Sequence, residues 1–409
     1  MKIETVKGIL TFKMDMIATL TVALLLLFLG YYLRKKVKFF ERFCIPAPVI
    51  GGLLFSVLAL ILKQSNIITI SMDTTFQSPF MIAFFTTVGI GGSFSLVKKG
   101  GKPLIIYWIL CSILAISQNI IGVATAKMIG IHPVLGVMMG AVSMEGGHGA
   151  AAAFGPTAEA LGVASATTVA VAAATFGLIS GGLIGGPIAK YLIDKNNLKP
   201  TEVEDFEGES YREAAGIASN SNVTSHGFLV QLAIITICMT IGSVVCAWIA
   251  KTGTVIPGYV GAMFTAVAFR NLNDKFKFIK IDFYIVDLIG DVCLGIFLSM
   301  ALMSLKLWEL ATLAGPMVIV LFAQVAFMIF YTIFVVFKSL GKDFDAAVMA
   351  SGMAGHGLGA TPNAIANMGA VTEKYGPSTK AFLIVPLVGA FLIDLIGIPN
   401  IVWFINFFK

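Results

Sequence analysis

The chain has 409 residues, of which 57% are hydrophobic and only 12% charged, with a mean hydropathy of +0.92. Ordinary soluble domains carry about 25% charged residues, so this composition is that of an integral membrane protein and excludes disordered, collagen-like and disulfide-framework chains. The net charge of +6 sits in short loops, where it reports membrane orientation and not nucleic-acid binding. The five cysteines, Cys44, Cys111, Cys238, Cys246 and Cys293, form no Cys-x-x-Cys pair and read as small core residues.

At the N-terminus, Lys2, Lys7 and Lys13 precede an apolar run from Met14 to Leu33 that ends at Arg34-Lys35-Lys36, which predicts a retained first helix and not a cleaved leader. Apolar windows then predict spans near 14–33, 44–62, 79–97, 103–126 and 163–189, followed by 227–250, 255–269, 283–305, 311–337 and 381–405. Placing 34–42, 98–102, 190–212, 270–280, 338–342 and 374–380 in the cytoplasm puts 20 of the 28 basic residues on that side. Two further stretches, about 132–158 and 343–370, are rich in Gly, Ala and Pro and are interrupted by Glu145, His148 and His356. Neither suits a lipid-facing helix, and both read as re-entrant or broken hairpins buried in protein.

Five spans precede the polar stretch 194–226 and five follow it. The expected organisation is therefore a first repeat over 1–193, a cytoplasmic linker over 194–226, and a second repeat over 227–409. An odd number of spans per repeat turns the second upside down relative to the first, the inverted plan of secondary transporters. Gly147-His148-Gly149 leads to Pro156-Thr157 in one half, and Gly355-His356-Gly357 leads to Pro362-Asn363 in the other.

Unwound backbone survives at membrane depth only where protein or a cavity satisfies it. Gly146, Gly147, His148 and Gly149, with Gly355, His356, Gly357 and Gly359, can each unwind a helix, offering amides to an anion and carbonyls to a cation. Small residues also permit close helix packing, and a mid-membrane histidine either bonds substrate or ties two arms together. Thr361, Asn363 and Asn367 offer neutral donors and acceptors, with Thr157 in the matching place of the first half; polar glue between helices is the other reading. Intramembrane carboxylates are functional by default. Asp394, in the middle of the last span, is a candidate cation ligand, as are Asp291, one turn after Asp287, and Glu145, directly before the first glycine cluster. Gly177, Gly181 and Gly185 form a small-residue packing stripe. No phosphate-binding Gly-x-x-x-x-Gly-Lys-Ser/Thr loop, zinc spacing, His-Glu-x-x-His or serine triad is present, so the chain reads as neither an ATP-driven pump nor an enzyme.

These residues give the chain a resemblance to the bacterial sodium/glutamate symporters. It rests on Pro46-Ala-Pro-Val-Ile-Gly-Gly52, Ala83-Phe-Phe-Thr-Thr-Val-Gly89, Gly146-Gly-His-Gly149, the string from Ala174 to Pro187, Met300 to Leu310, and Gly357 to Met368. The resemblance implies an all-α integral membrane protein of two inverted five-helix repeats, each with a re-entrant hairpin, working as an elevator-type secondary transporter. It implies Na⁺-coupled uptake of L-glutamate across the bacterial inner membrane by a lipid-embedded homodimer, with Na⁺ as coupling ion, no cofactor and no transition-metal site. By motif, Gly146, Gly147, His148, Gly149, Gly355, Gly357, Gly359, Thr361, Asn363 and Asn367 would form the substrate and ion site, and Asp394 matches an acid of the family's last helix. Glu145 departs from the small polar residue expected there, and the second cluster lacks one glycine of the doubled pair in the first. The alternative expectation is a symporter of another small carboxylate or amino acid, with or without H⁺ coupling through Glu145 or Asp394.

Overall fold

The computed structural model describes all residues except 1, 7, 8, 44, 66, 201–222, 311 and 312. Most of the expected linker and Cys44 lie outside the described residues.

The N-terminal tail ahead of the first span forms strands. β1 (Lys2–Val6) pairs antiparallel with β2 (Ile9–Met14), and β2 pairs parallel with β3 (Thr69–Met72). This small sheet ends where α1 (Met16–Lys36) begins. The Asp15 carboxylate caps that helix by accepting from the Ala18 amide at 2.9 Å, which holds the carboxyl below its ordinary range.

A short α2 (Lys38–Arg42) leads to α3 (Ala47–Gln64), α4 (Gln77–Gly91) and α5 (Phe94–Met128), the last kinked at Gly101, whose φ of 61° lies in the left-handed region. The first hairpin is α6 (Pro133–Met138), α7 (Ala141–Met144) and α8 (Gly147–Ala160), followed by α9 (Ala166–Asn196). Beyond the linker come α10 (Ser225–Ala250), α11 (Gly258–Phe276), α12 (Phe283–Met303) and α13 (Ala314–Tyr331). A π turn at Thr332–Val336 joins α13 to α14 (Phe337–Ser339). The second hairpin is α15 (Phe344–His356) and α16 (Thr361–Tyr375). The chain closes with α17 (Thr379–Leu387), a π turn at Val388–Leu392, and α18 (Ile393–Phe408).

Among the described residues, seven helices are long and apolar enough to cross a membrane. The expected spans 79–97 and 255–269 differ from what forms: α4 stops at Gly91 before a break at Gly92 and Ser93, and α11 starts at Gly258 and runs on through the polar Arg270–Asp274 turn. The cause is local chemistry. Arg270 bonds Asp274 at 2.8 Å, and Asn271 donates to the Gly92 carbonyl at 2.9 Å, so polar residues extend α11 while satisfying the end of α4.

The helices sort into two bundles that each draw from both sides of the linker. α1, α3 and α4 pack with α10, α11 and α12, whereas α5 to α9 pack with α13 to α18. In the first bundle, close approach is set by glycine. A methyl group at Gly51 would collide with the Leu26 carbonyl, and one at Gly30 with the Ala47 carbonyl; Gly242 and Gly261 meet in the same way between α10 and α11. Gly51→Ala is therefore expected to cost about 1–3 kcal/mol by overpacking. A fall in the midpoint of thermal unfolding in detergent, with ligand binding retained in the folded fraction, would show it.

Candidate functional site

The second bundle is built around the two hairpins. α9 carries Gly177, Gly181 and Gly185 at four-residue spacing, and the second hairpin lies in that groove. A methyl at Gly177 would strike the Leu358 carbonyl, one at Gly181 would lie 2.9 Å from the Ala354 carbonyl, and one at Gly185 would strike the Asn367 amide. Across this contact Asn363 donates to the Leu178 carbonyl at 2.8 Å and Asn367 to the Gly181 carbonyl at 3.0 Å. Both asparagines are buried, and each amide nitrogen satisfies a carbonyl where no water would reach it. Thr361 donates to the Gly389 carbonyl at 3.1 Å, and Trp108 to the Leu392 carbonyl at 2.7 Å. Those two carbonyls belong to the π turn, whose widened ladder leaves acceptors for side chains to meet.

The first hairpin breaks twice, at Met139-Gly140 and at Glu145-Gly146. Gly147 has φ of 60°, a conformation that glycine adopts without strain, and a methyl there would lie 2.9 Å from the Gly359 carbonyl. The two glycine clusters thus meet tip to tip. His148 is buried with its Nε2 2.9 Å from Thr175 Oγ1, and His356 is buried with its Nε2 3.4 Å from Cys111 Sγ. Both imidazoles have protein partners, one on α9 and one on α5.

Three residues outside the sequence expectations hold the tips in place. On α5, Gln118 donates to the Gly357 carbonyl at 2.6 Å, and Asn119 accepts from the Ala141 amide at 3.0 Å; on α13, Gln324 donates to the Gln118 carbonyl at 2.8 Å. Each keeps one buried amide atom without a partner among the described residues: Gln118 Oε1, Asn119 Nδ2 and Gln324 Oε1. The signal for them in the sequence is a Gln-Asn dipeptide deep inside an apolar span, since buried amides at membrane depth are costly unless used.

The remaining expected residues are dispersed. Thr157 lines a cavity of about 460 Å³ on the expected outer side, where Gln77 and Met81 of α4 face Pro156, Thr167 and Lys306. Gly146 and Gly149 flank Gly147 and His148 at the start of α8, and Gly355 packs against the backbone of Asn363 and Ala364. Glu145 follows α7 in the first hairpin, with both carboxylate oxygens buried and unpartnered among the described residues, and Asp394 lies in the first turn of α18. Asp291 is not gathered with them: it is exposed on α12, one turn after the exposed Asp287.

Comparison with known proteins places this geometry in a family. The sodium/glutamate symporter family model matches residues 12–377. A sodium/glutamate symporter of Haemophilus influenzae is 42% identical over 93% of this chain and 94% of its own length, and one of Escherichia coli is 42% identical over 94% and 96%. Among solved structures, the sodium proton antiporter MjNhaP1 of Methanocaldococcus jannaschii covers 94% of this chain and 96% of that one, at 15% identity and a TM-score of 0.43, a likeness too slight to bear on function. With the family model spanning both bundles and both hairpins, the chain is a multi-pass membrane protein that belongs to the sodium/glutamate symporter family.

Proposed function

We propose that the chain carries out Na⁺-coupled symport of glutamate, binding it where the two hairpin tips meet. The observation that carries this reading is the contact between Gly147 and Gly359 inside a bundle of membrane helices. Two interrupted helices with facing ends offer helix-terminal amides to a carboxylate and carbonyls to Na⁺ from the same short stretch of backbone. The site proposed for glutamate comprises Gly146, Gly147, His148, Gly149, Gly355, His356, Gly357, Gly359, Thr361, Asn363 and Asn367, together with Thr157, which lines the 460 Å³ cavity. Asn363 through its amide oxygen, and Asp291 on the other bundle, are proposed to contact the coupling ion.

The segregation of helices supports an inverted repeat and an elevator mechanism. Each bundle takes corresponding helices from the two halves, and the glycine contact of Gly30 and Gly51 has its counterpart in Gly242 and Gly261. In this reading the first bundle stays fixed and the second slides, carrying both hairpins and the bound solutes. α1 and α10, broadly exposed, supply surface for lipid of the bacterial inner membrane and for a second copy in a homodimer.

Equilibrium binding of labelled L-glutamate to the purified protein tests the coupling. Saturable binding in Na⁺, at least about tenfold weaker in choline, corresponds to a coupling free energy of about 1.4 kcal/mol or more. Equal binding in the two salts would refute it.

A further inference from the structure

Resting on the symport reading, and naming what recognises the amino group of its substrate, we infer that the side-chain oxygens of Gln118 and Gln324 accept hydrogen bonds from the α-ammonium of glutamate and so set the preference for an amino acid over a plain dicarboxylate. Gln118, Asn119 and Gln324 are each fully buried. Backbone partners of one polarity fix how their amides face. Gln118 must turn its Nε2 to the Gly357 carbonyl, at 2.6 Å, and Gln324 its Nε2 to the Gln118 carbonyl, at 2.8 Å, because a carbonyl only accepts. The Oε1 atoms of both are thereby left over, shut off from solvent and without a hydrogen-bond partner among the described residues. Asn119 is the converse: its oxygen accepts from the Ala141 amide at 3.0 Å, and its Nδ2 is left over.

A buried amide oxygen without a partner is costly at membrane depth, so two of them at one place call for a donor. The place is the tip of the second hairpin. A methyl group at Gly357 would lie 2.7 Å from Leu114 Cδ2 and 2.7 Å from Met328 Cε. Leu114 stands one turn before Gln118 on α5, and Met328 one turn after Gln324 on α13, so both glutamines lie on the helix faces turned to that tip. Around Gly357, room for a small cationic head comes from the ends of those two apolar side chains, which can turn aside without moving backbone. The leftover atoms also say which cation. Two acceptors suit the N–H donors of an ammonium, and the leftover donor on Asn119, the next residue, suits the carboxylate that an α-amino acid carries on the same carbon. Na⁺ brings no such acceptor. A site that hydrogen-bonds a substrate group rejects the analogue lacking it, because its own buried polar atoms then stay unpaired.

The test is equilibrium binding of labelled L-glutamate and of glutarate, the same dicarboxylate without its amino group, to the full chain in detergent and NaCl, for the parent protein, Gln324→Leu and Gln324→Glu. The parent is expected to bind glutamate at least about a hundredfold more tightly than glutarate. In Gln324→Leu, glutamate binding should weaken at least about tenfold while glutarate binding holds or tightens, so that the ratio falls by at least about tenfold. Gln324→Glu keeps acceptor oxygens but loses the amide donor to the Gln118 carbonyl, and should retain the preference for glutamate, which separates recognition of the ammonium from support of the tip. If Gln324→Leu does not fold, Gln118→Leu is read in the same way. Equal weakening of the two ligands, as loss of tip support or of a trapped water would give, would overturn the inference, and so would a parent that binds the two alike. A preference lost equally in both Gln324 variants would assign it to the amide donor and overturn the inference as well. A parent that binds neither ligand in Na⁺ refutes the symport reading beneath it, so the two failures are distinguishable.

Discussion

Replacing Gly177 by valine should reduce Na⁺-driven glutamate uptake by more than about tenfold at equal amounts of protein in the membrane. The added side chain has nowhere to go, because the first atom past Cα already collides with the Leu358 carbonyl, which is backbone and cannot rotate away. Overpacking a well-filled core costs about 1–3 kcal/mol, and a rigid neighbour puts this case at the upper end. The displaced element is the turn that carries Gly357 and Gly359, so the damage falls on the hairpin tip directly. A methyl group at Gly186, on the same helix, would meet open space, and Gly186→Ala is the matching control expected to leave uptake unchanged. Equal uptake by the two variants would show that the second hairpin is not held in the α9 groove.

The second large effect is expected at Gln118. Gln118→Leu keeps the volume roughly constant but removes the donor that satisfies the Gly357 carbonyl at 2.6 Å. A buried acceptor left unpaired costs about 1–3 kcal/mol, and here it lies in the turn between the two arms of the second hairpin. The expected outcome is a glutamate affinity in Na⁺ at least about fivefold weaker, with a lowered midpoint of unfolding. Asn119→Ala, which frees the Ala141 amide in the first hairpin, should act in the same direction. Wild-type affinity in Gln118→Leu would remove the α5 amides from any part in holding the tips.

The membrane class, several apolar spans and the helix breaks at both glycine clusters are legible in the sequence, because long apolar runs and glycine clusters are local properties of the chain. The family resemblance is shown by the matches to curated relatives over about nine-tenths of the chain. What the sequence hides is non-local. α11 continues past the expected boundary because Arg270 and Asn271 find partners in Asp274 and Gly92, the latter far away in sequence. The N-terminal sheet forms because residues 11–14 meet residues 69–72, a pairing that no hydropathy window registers. Asn363 and Asn367 stand out in the sequence as polar groups on one helix face, but only the folded chain shows their amides turned toward α9. Gln118, Asn119 and Gln324 escape notice for the opposite reason: a neutral amide hardly lowers the mean hydropathy of a span, yet it decides where two backbone breaks are held.

The measurement that bears most directly on the central claim is uptake of labelled L-glutamate into proteoliposomes, with an inward Na⁺ gradient in one arm and with K⁺ and an imposed pH gradient in the other. The predicted result is accumulation above the external concentration with Na⁺ alone, collapsing when the Na⁺ gradient is dissipated by an ionophore. Accumulation driven equally by the pH gradient in K⁺, or none at all by folded protein under a Na⁺ gradient, would contradict Na⁺-coupled glutamate symport by this chain.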